Sequence, residues 1–392
     1  MMRIDLPATN DSVSAPTVPT GVSDPVNARI LAVSEDRIAG FVKEPFAQIA
    51  FAADLSEEEV IERLRAMLAA GVIRRIRQTL MATNLAPGAL VAWRVPAERI
   101  DFAFNYMAKD DPFSGHVVIR STDTDTPGSV YRLWTTLKVP QGFPMERHCD
   151  FLAAQTGATA YRIMPAKRLF ALGVGHMRRR GIEPGSKSEA KGRVIDTNIV
   201  ELSPLEWRVL TALKREFEVE EISPDPWRAR AVEAGVSLAE FVDVAHSLSA
   251  RGVVGRFSTF LEHVKPSATG ERVTRYNALF HWRVPPGREI EAGTEIGRHH
   301  ILTHAYWREG GPEFRDVNLM AVAHGTEKAP LLAHKAAIDR HLEDVKIPVL
   351  YTNVFWGGRS EIKPSEISPV KYAEWARRVG LAEAAPQSEK PV

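Results

Sequence analysis

The sequence predicts an α+β fold built twice: a tandem duplication in which each copy is a winged helix-turn-helix followed by a ferredoxin-like (βαββαβ) domain. Three observations carry that expectation. First, short strings recur in the same order at nearly one offset. GVIRRIRQTL at 71–80 returns as GVVGRFSTFL at 252–261, LVAWRVP at 90–96 returns as LFHWRVP at 279–285, and the pair His116/Arg120 returns as His304/Arg308. The offsets are 181, 189 and 188 residues, and the step falls where the second copy carries the extra loop KPSATGERVT at 265–274. Second, each copy opens on two helical patterns joined by a turn and followed by an apolar strand. Third, the remainder of each copy alternates strand and helix in the order βαββαβ.

Residues 1–25 are rich in Ser, Thr, Pro and Asp and read as a disordered tail. Winged helix 1 (26–86) holds a short helix in PFAQIAFAADL (45–55) and a longer one in SEEEVIERLRAMLAAG (56–71). The longer one has a serine N-cap, acidic residues in its first turn and a glycine at its far end. Its Val60, Leu64, Met67 and Leu68 recur at helical spacing and predict the buried stripe. Ferredoxin-like domain 1 (87–176) reads as strand 89–96, helix 98–108, strands 115–122 and 129–139, helix 144–157 and strand 158–165. A linker rich in Gly, Ser, Lys and Pro (177–201) leads to winged helix 2 (202–264), with its helices in PWRARAVEAGVSLAEFVDVAHSLSARG at 226–252. Ferredoxin-like domain 2 (275–360) repeats the six elements, and residues 361–392 form a C-terminal extension. The two ferredoxin-like sheets are expected to pair, so that one chain imitates a dimer.

Composition narrows the function. Lys plus Arg number 50 and Asp plus Glu 49, so no global field draws the chain to nucleic acid or membrane. The single cysteine, Cys149, excludes an internal disulfide framework and a cysteine-cluster metal site. No run of 18 apolar residues predicts a membrane span, and the N-terminus lacks the apolar core of a signal peptide. A cytoplasmic protein is expected. No P-loop, dinucleotide fingerprint or nucleophile elbow is present.

The recurring His-x-x-x-Arg is the candidate chemistry. Alternate residues of a strand share a face, so His304, Tyr306 and Arg308 point one way, as do His116 and Arg120. In VNLMAVAHG, Asn318, Met320, Val322 and His324 share a face, and if the two strands pair, His304, Arg308 and His324 line one cavity. Arginine forks onto carboxylates bidentately and histidine delivers protons near neutral pH. Histidines are unevenly spread: nine of the 12 lie in the second copy. Arg74, Arg75 and Arg256 on the wing strands read either as carboxylate anchors or as solvated charge, and His263 is a weaker candidate just beyond. Duplication preserves structural residues as well as functional ones, so each of these has a bland reading as a satisfied surface or core residue. His299, His300, His334 and His341 read as structural or solvent-facing, and Tyr131 and Trp134 as core before ligand stack.

A winged helix followed by a ferredoxin-like domain resembles the Lrp/AsnC transcription regulators. The strings GVIRRI, WRVP, THAYWR, VNLMAVAHG and VLYTNVF resemble one branch of that scaffold, the siroheme decarboxylases, in a fused two-subunit form. The resemblance implies a lyase that converts acetate side chains of siroheme to methyls in heme or d1 heme biosynthesis. It implies a tetrapyrrole substrate that brings its own iron, no added cofactor and no resident metal. His304, His324 and Arg308 then become the catalytic candidates. Arg256, His263, Tyr306, Asn318, His116, Arg120, Arg132, Lys138 and Arg75 become the substrate-binding ones. The second copy keeps the pattern best: the first has Val118 for the tyrosine, Arg132 for the asparagine and Lys138 for the second histidine. The two halves pair with each other, and a homodimer of chains is compatible with the pattern.

Two other functions stay open on the sequence: a DNA-binding regulator of the Lrp/AsnC type, and a tetrapyrrole sensor without chemistry. Against the regulator, the helix at 56–71 carries four glutamates and two arginines, and that at 237–252 is also net acidic. Both would be repelled by phosphates, although the wing run RRIRQ is basic.

Overall fold

The computed structural model describes residues 18–172, 181–195, 199–261 and 275–381. Helix α1 (Pro25–Ser34), strand β1 (Ile38–Ala39), helices α2 (Pro45–Ala53) and α3 (Glu57–Ala69) and strand β2 (Ile73–Leu80) form the first winged unit. The α3 start is set as its sequence predicts: Ser56 Oγ accepts from Glu59 N at 3.1 Å, and Glu57, Glu58 and Glu59 lie at the positive end of the helix dipole. The first ferredoxin-like domain comprises β3 (Gly88–Arg94), α4 (Ile100–Lys109), β4 (Ser114–Ser121), β5 (Leu133–Lys138), α5 (Met145–Thr156) and β6 (Ala160–Pro165), with an unpredicted β7 (Arg168–Leu172). The second winged unit is α6 (Pro204–Leu213), α7 (Arg228–Ala234), α8 (Leu238–Ala250) and β8 (Val254–Leu261). The second ferredoxin-like domain is β9 (Tyr276–Arg283), α9 (Glu289–Ile296), β10 (Leu302–Trp307), β11 (Leu319–Gly325), α10 (Lys328–Asp344) and β12 (Tyr351–Ile362). In the C-terminal extension, α11 (Pro369–Arg378) packs Tyr372 and Trp375 into the core of the first domain.

The winged units do not stand apart. β2 of one pairs antiparallel with β8 of the other, and β1 adds at the β8 edge, giving one three-stranded sheet in the order β1-β8-β2. Their helices share one core in which Phe46 meets Phe257 edge-on at 5.5 Å and Phe217 meets Trp227 at 5.3 Å. The wing strands that a DNA reader would project into solvent are thus spent on each other.

The ferredoxin-like strands form one nine-stranded sheet in the order β6-β3-β5-β4-β12-β9-β11-β10-β7. β6 and β7 stand at opposite ends of that order, yet only Ala166 and Lys167 separate them in the chain. The sheet must therefore curl until a four-stranded wall, β6-β3-β5-β4 (wall one), faces a five-stranded one, β12-β9-β11-β10-β7 (wall two). Each copy's last strand runs on into the other copy: β7 pairs with β10, and the far half of β12 pairs with β4. α4, α5 and α11 cover the outside of wall one, and α9 and α10 the outside of wall two. Between the walls lies a third core of side chains from both copies, including Val118, Trp134, Leu279, Phe314, Met320 and Phe355. Among the described residues no helix is long and apolar enough to cross a membrane.

Two local expectations are corrected. The strand read over 129–139 begins only at Leu133, because Pro127–Val130 closes a 3-10 turn. The linker, read from its Gly, Ser, Lys and Pro content, docks where it is described: Lys187 Nζ meets His341 Nδ1 at 2.7 Å, and His341 Nε2 meets Glu295 at 2.8 Å.

Candidate active site

The polar residues of the inter-sheet layer come from strand alternation. On wall two, β10 turns His304 and Tyr306 inward, and Arg308 comes just past the strand end. The His304 and Tyr306 rings lie parallel, 7° apart with centroids at 6.0 Å, and the Arg308 guanidinium sits 4.5 Å over the Tyr306 ring. Burial pushes the Tyr306 phenol up, while Arg308 opposes. Arg308 donates to the Met164 carbonyl on β6, so this row reaches across to wall one.

The two histidines of wall two are held differently. His304 Nδ1 is 3.0 Å from Thr303 Oγ, whose own proton goes to the Val322 carbonyl at 3.0 Å. The hydroxyl therefore accepts from Nδ1–H, which sets the orientation of the ring. His324 Nε2 lies 2.9 Å from Asn277 Nδ2. An amide NH2 only donates, so Nε2 accepts in this contact. In the β10–β11 register His304 faces Val322, which makes His324 its diagonal neighbour on the inner face.

A lateral row ties the copies together. Arg120 on β4, Gly357 on β12, Asn277 on β9 and His324 on β11 are direct cross-strand partners. A Cβ on Gly357 would lie 3.4 Å from Arg120 Nη1 and 3.2 Å from Asn277 Cβ, so the glycine makes room for the guanidinium. Arg120 is 4% exposed, and its Nη1 donates to the Phe355 carbonyl at 3.3 Å. Burial lowers it to about 9. The counterpart row has Lys138 opposite Gly88, with the lysine stem 3.5 Å from where a Cβ would stand. Burial first, then the charges of Arg77 and Arg308, lower Lys138 to about 8. His116 occupies the inner face of β4, half-buried, one strand from Lys138. Among the described residues no acidic side chain ion-pairs with Arg120, Lys138 or Arg308.

Other predicted residues fall elsewhere. Arg132 is exposed, because it precedes the shortened β5. Asn318 sits just before β11 and turns its amide away from the layer. Its Oδ1 accepts from Val284 N, and its Nδ2 donates to Val284 O and Glu289, so it ties two loops together. Arg75 is paired with Glu216 at 2.7 Å and donates to the Ile362 carbonyl, which makes it a strut between layers. Arg256 belongs to the three-stranded sheet, where its Nε donates to Ser258 and its N–H to Thr79. His263 lies outside the described residues. Tyr131 and Trp134 are core residues packed on Phe314.

Sequence reasoning missed His281, Asn277 and Arg77. His281 is 1% exposed among Trp134, Phe314 and Phe355, and burial drives it down to about 3, so it is a neutral packing group. Asn277 and His281 alternate with Leu279 along β9, and that spacing was the available signal. A separate cleft of about 430 Å³ lies by α10 and β12, but Asp123 and Asp339 line it, which suits no polyanion.

Comparison with known proteins agrees with this architecture. Residues 41–74 match a family model described as the siroheme decarboxylase NirDL-like HTH domain, and residues 86–171 match the AsnC-like ligand binding domain. The siroheme decarboxylase NirDL subunit of Paracoccus pantotrophus is 27% identical over 285 residues, covering 73% of this chain and 80% of that one. The crystal structure of the siroheme decarboxylase NirDL superposes with a TM-score of 0.62 at 20% identity, covering 90% of this chain and 97% of that one. The same enzyme with an iron-uroporphyrin III analogue gives 0.62 at 19% identity, covering 91% and 99%. Over most of its length this chain is thus similar to the siroheme decarboxylase NirDL proteins, and its first copy matches the helix-turn-helix and AsnC-like ligand-binding models.

Proposed function

We propose that the chain is a carboxy-lyase acting on an iron tetrapyrrole of the siroheme class, converting acetate arms to methyls on the way to heme or d1 heme in the cytoplasm. The observation that carries this reading is the charge of the inter-sheet layer. Arg120 and Arg308 are buried and Lys138 is half-buried, none with an acidic partner among the described residues, beside His116, His304 and His324 on the same inner faces. An uncompensated buried cation costs several kcal/mol, and a ligand carrying several carboxylates supplies the missing charge to both walls. The tetrapyrrole analogue in the solved NirDL complex supports that ligand class.

The residues divide the chemistry. Breaking the bond to carbon dioxide leaves an electron pair on the arm's methylene carbon. The macrocycle delocalises it, and a proton then completes the methyl. His304 is the proton donor: Thr303 engages its Nδ1 and holds the ring on the inner face of β10. His324, oriented by Asn277, faces the leaving carboxylate. Arg120 and Arg308 anchor other carboxylates bidentately; His116, Lys138 and Tyr306 line the space. The substrate brings the iron, and the reaction calls on no further cofactor. Anaerobic incubation with siroheme followed by mass spectrometry tests this: loss of one or two carbon dioxide masses is expected. Binding at unchanged mass makes the chain a carrier or sensor, and neither binding nor loss defeats the reading.

A further inference from the structure

We propose that Arg77, from the first winged unit, joins Lys138 and Arg308 in a binding site for a substrate carboxylate that the reaction retains. This rests on the tetrapyrrole reading and adds to it a residue from a layer that reading leaves idle.

Geometry puts the three cations together. In the β2–β8 register Arg77 faces Ser258, while its neighbour Ile76 fills the winged core, so Arg77 leaves by the opposite face. Its guanidinium lies 5.4 Å from the Phe260 ring centroid, and its Nε is buried without a hydrogen-bond partner. Arg75, two residues earlier, reaches the Ile362 carbonyl at 2.7 Å, and Ile362 pairs with His116. The β2 strand therefore abuts the walls beside His116, which pairs with Thr136, two residues before Lys138 on β5; Arg308 reaches the same place, since it donates to the Met164 carbonyl, Met164 pairs with Leu90, and Leu90 pairs with Thr136. The charges of Arg77 and Arg308 both bear on the Lys138 ammonium. The acidic group that bears on Arg77 is Glu216, and Arg75 already engages it at 2.7 Å. Three cations from β2, β5 and the end of β10 thus converge without a bound acid among the described residues. A planar carboxylate suits two guanidinium forks and one ammonium. Arg308 lies past Tyr306 from His304, so the carboxylate held here is remote from the proton donor and stays on the product.

The test is an absorbance titration of the full chain with two probes: iron-uroporphyrin III, which carries acetates and propionates, and an iron porphyrin carrying propionates alone. Arg77→Gln should weaken both by the same factor, about tenfold to a hundredfold, the range for a hydrogen bond to a charged group. Arg77→Lys should recover part of that. Arg77→Gln should also resist urea better than wild type, because a half-buried cation with no bound acid among the described residues is removed. A merely structural arginine would lose stability instead. In a cycle with Lys138→Gln the two losses should be less than additive. If wild type binds neither probe, the tetrapyrrole reading fails and takes this inference with it. If wild type binds and Arg77→Gln binds equally well, the inference alone is overturned. Loss confined to the acetate-bearing probe, or a variant both weaker and less stable, overturns it too.

Discussion

Replacing Lys138 by methionine keeps the unbranched stem and removes the ammonium, which isolates the cost of its burial. Burial, followed by Arg77 and Arg308, lowers this lysine from 10.5 to about 8. At about 1.4 kcal/mol per pH unit the gap is worth at most roughly 3 kcal/mol, and the side chain's partial exposure reduces that to about 1–3. The sign comes from proton counting. Below pH 8 the lysine is charged in both states and the folded form carries the penalty. Between pH 8 and 10.5 the folded protein has released the proton and the unfolded chain has not, so stability rises with pH. Urea unfolding followed by tryptophan fluorescence at about pH 7, 8, 9 and 10 reads this out. Lys138→Met should be more stable than wild type at pH 7 by about 1–3 kcal/mol, and the difference should vanish towards pH 10. Arg120 at about 9 and Arg77 at about 10 titrate in both proteins, so the difference curve is the readout. Substrate affinity should move the other way, falling as wild type passes about pH 8. Parallel stability profiles, or a variant less stable at pH 7, would refute the claim that this cation is buried without compensation.

Other parts of the molecule make three further outcomes measurable. Gly293→Ala places a Cβ 2.2–2.4 Å from ring atoms of Phe170 on the exchanged β7, and should cost about 1–3 kcal/mol in urea unfolding; no cost would mean that β7 does not pack there. For the fully buried Asp111, burial alone would push the carboxyl up, but His148 and the hydrogen bonds from Ser114 and Phe113 outweigh it and hold it below its ordinary value. Its contribution is therefore present above the ordinary carboxylate range and lost as pH falls through it; Asp111→Asn should lose about 3–5 kcal/mol at pH 7 and show a flatter acid limb. His304→Ala should slow decarboxylation by about 10²–10⁴-fold while siroheme affinity shifts only a few-fold, measured by single-turnover mass spectrometry and titration. Equal losses in both would make His304 a binding group.

The duplication could be read from the chain because its strings recur in order at nearly one offset, and the helix starts and the shared face of His304 and Tyr306 because each depends on residues within a few positions. Partner choice between strands does not. Nothing local in the arginine-rich run 74–77 says that β2 will pair with β8 of the other copy, and only that register separates Arg75, a strut, from Arg77, which turns towards Lys138. The exchange of β7 and β12 was hidden for the same reason, and with it the row that places Arg120 beside Gly357 and Asn277. Asn318 had the right parity but stands one residue before its strand, where the Val284 backbone claims its amide. Arg132 was lost to a 3-10 turn that Pro127 and Gly128 could have signalled.

The most direct measurement is a crystal structure of the chain with iron-uroporphyrin III bound. The macrocycle is expected against the inner faces of the two walls, with carboxylates at Arg120 and at Lys138 and Arg308, and His304 Nε2 facing an acetate arm. A macrocycle seated on the winged sheet, or in the cleft between α10 and β12, would contradict the assignment of the inter-sheet layer as the active site.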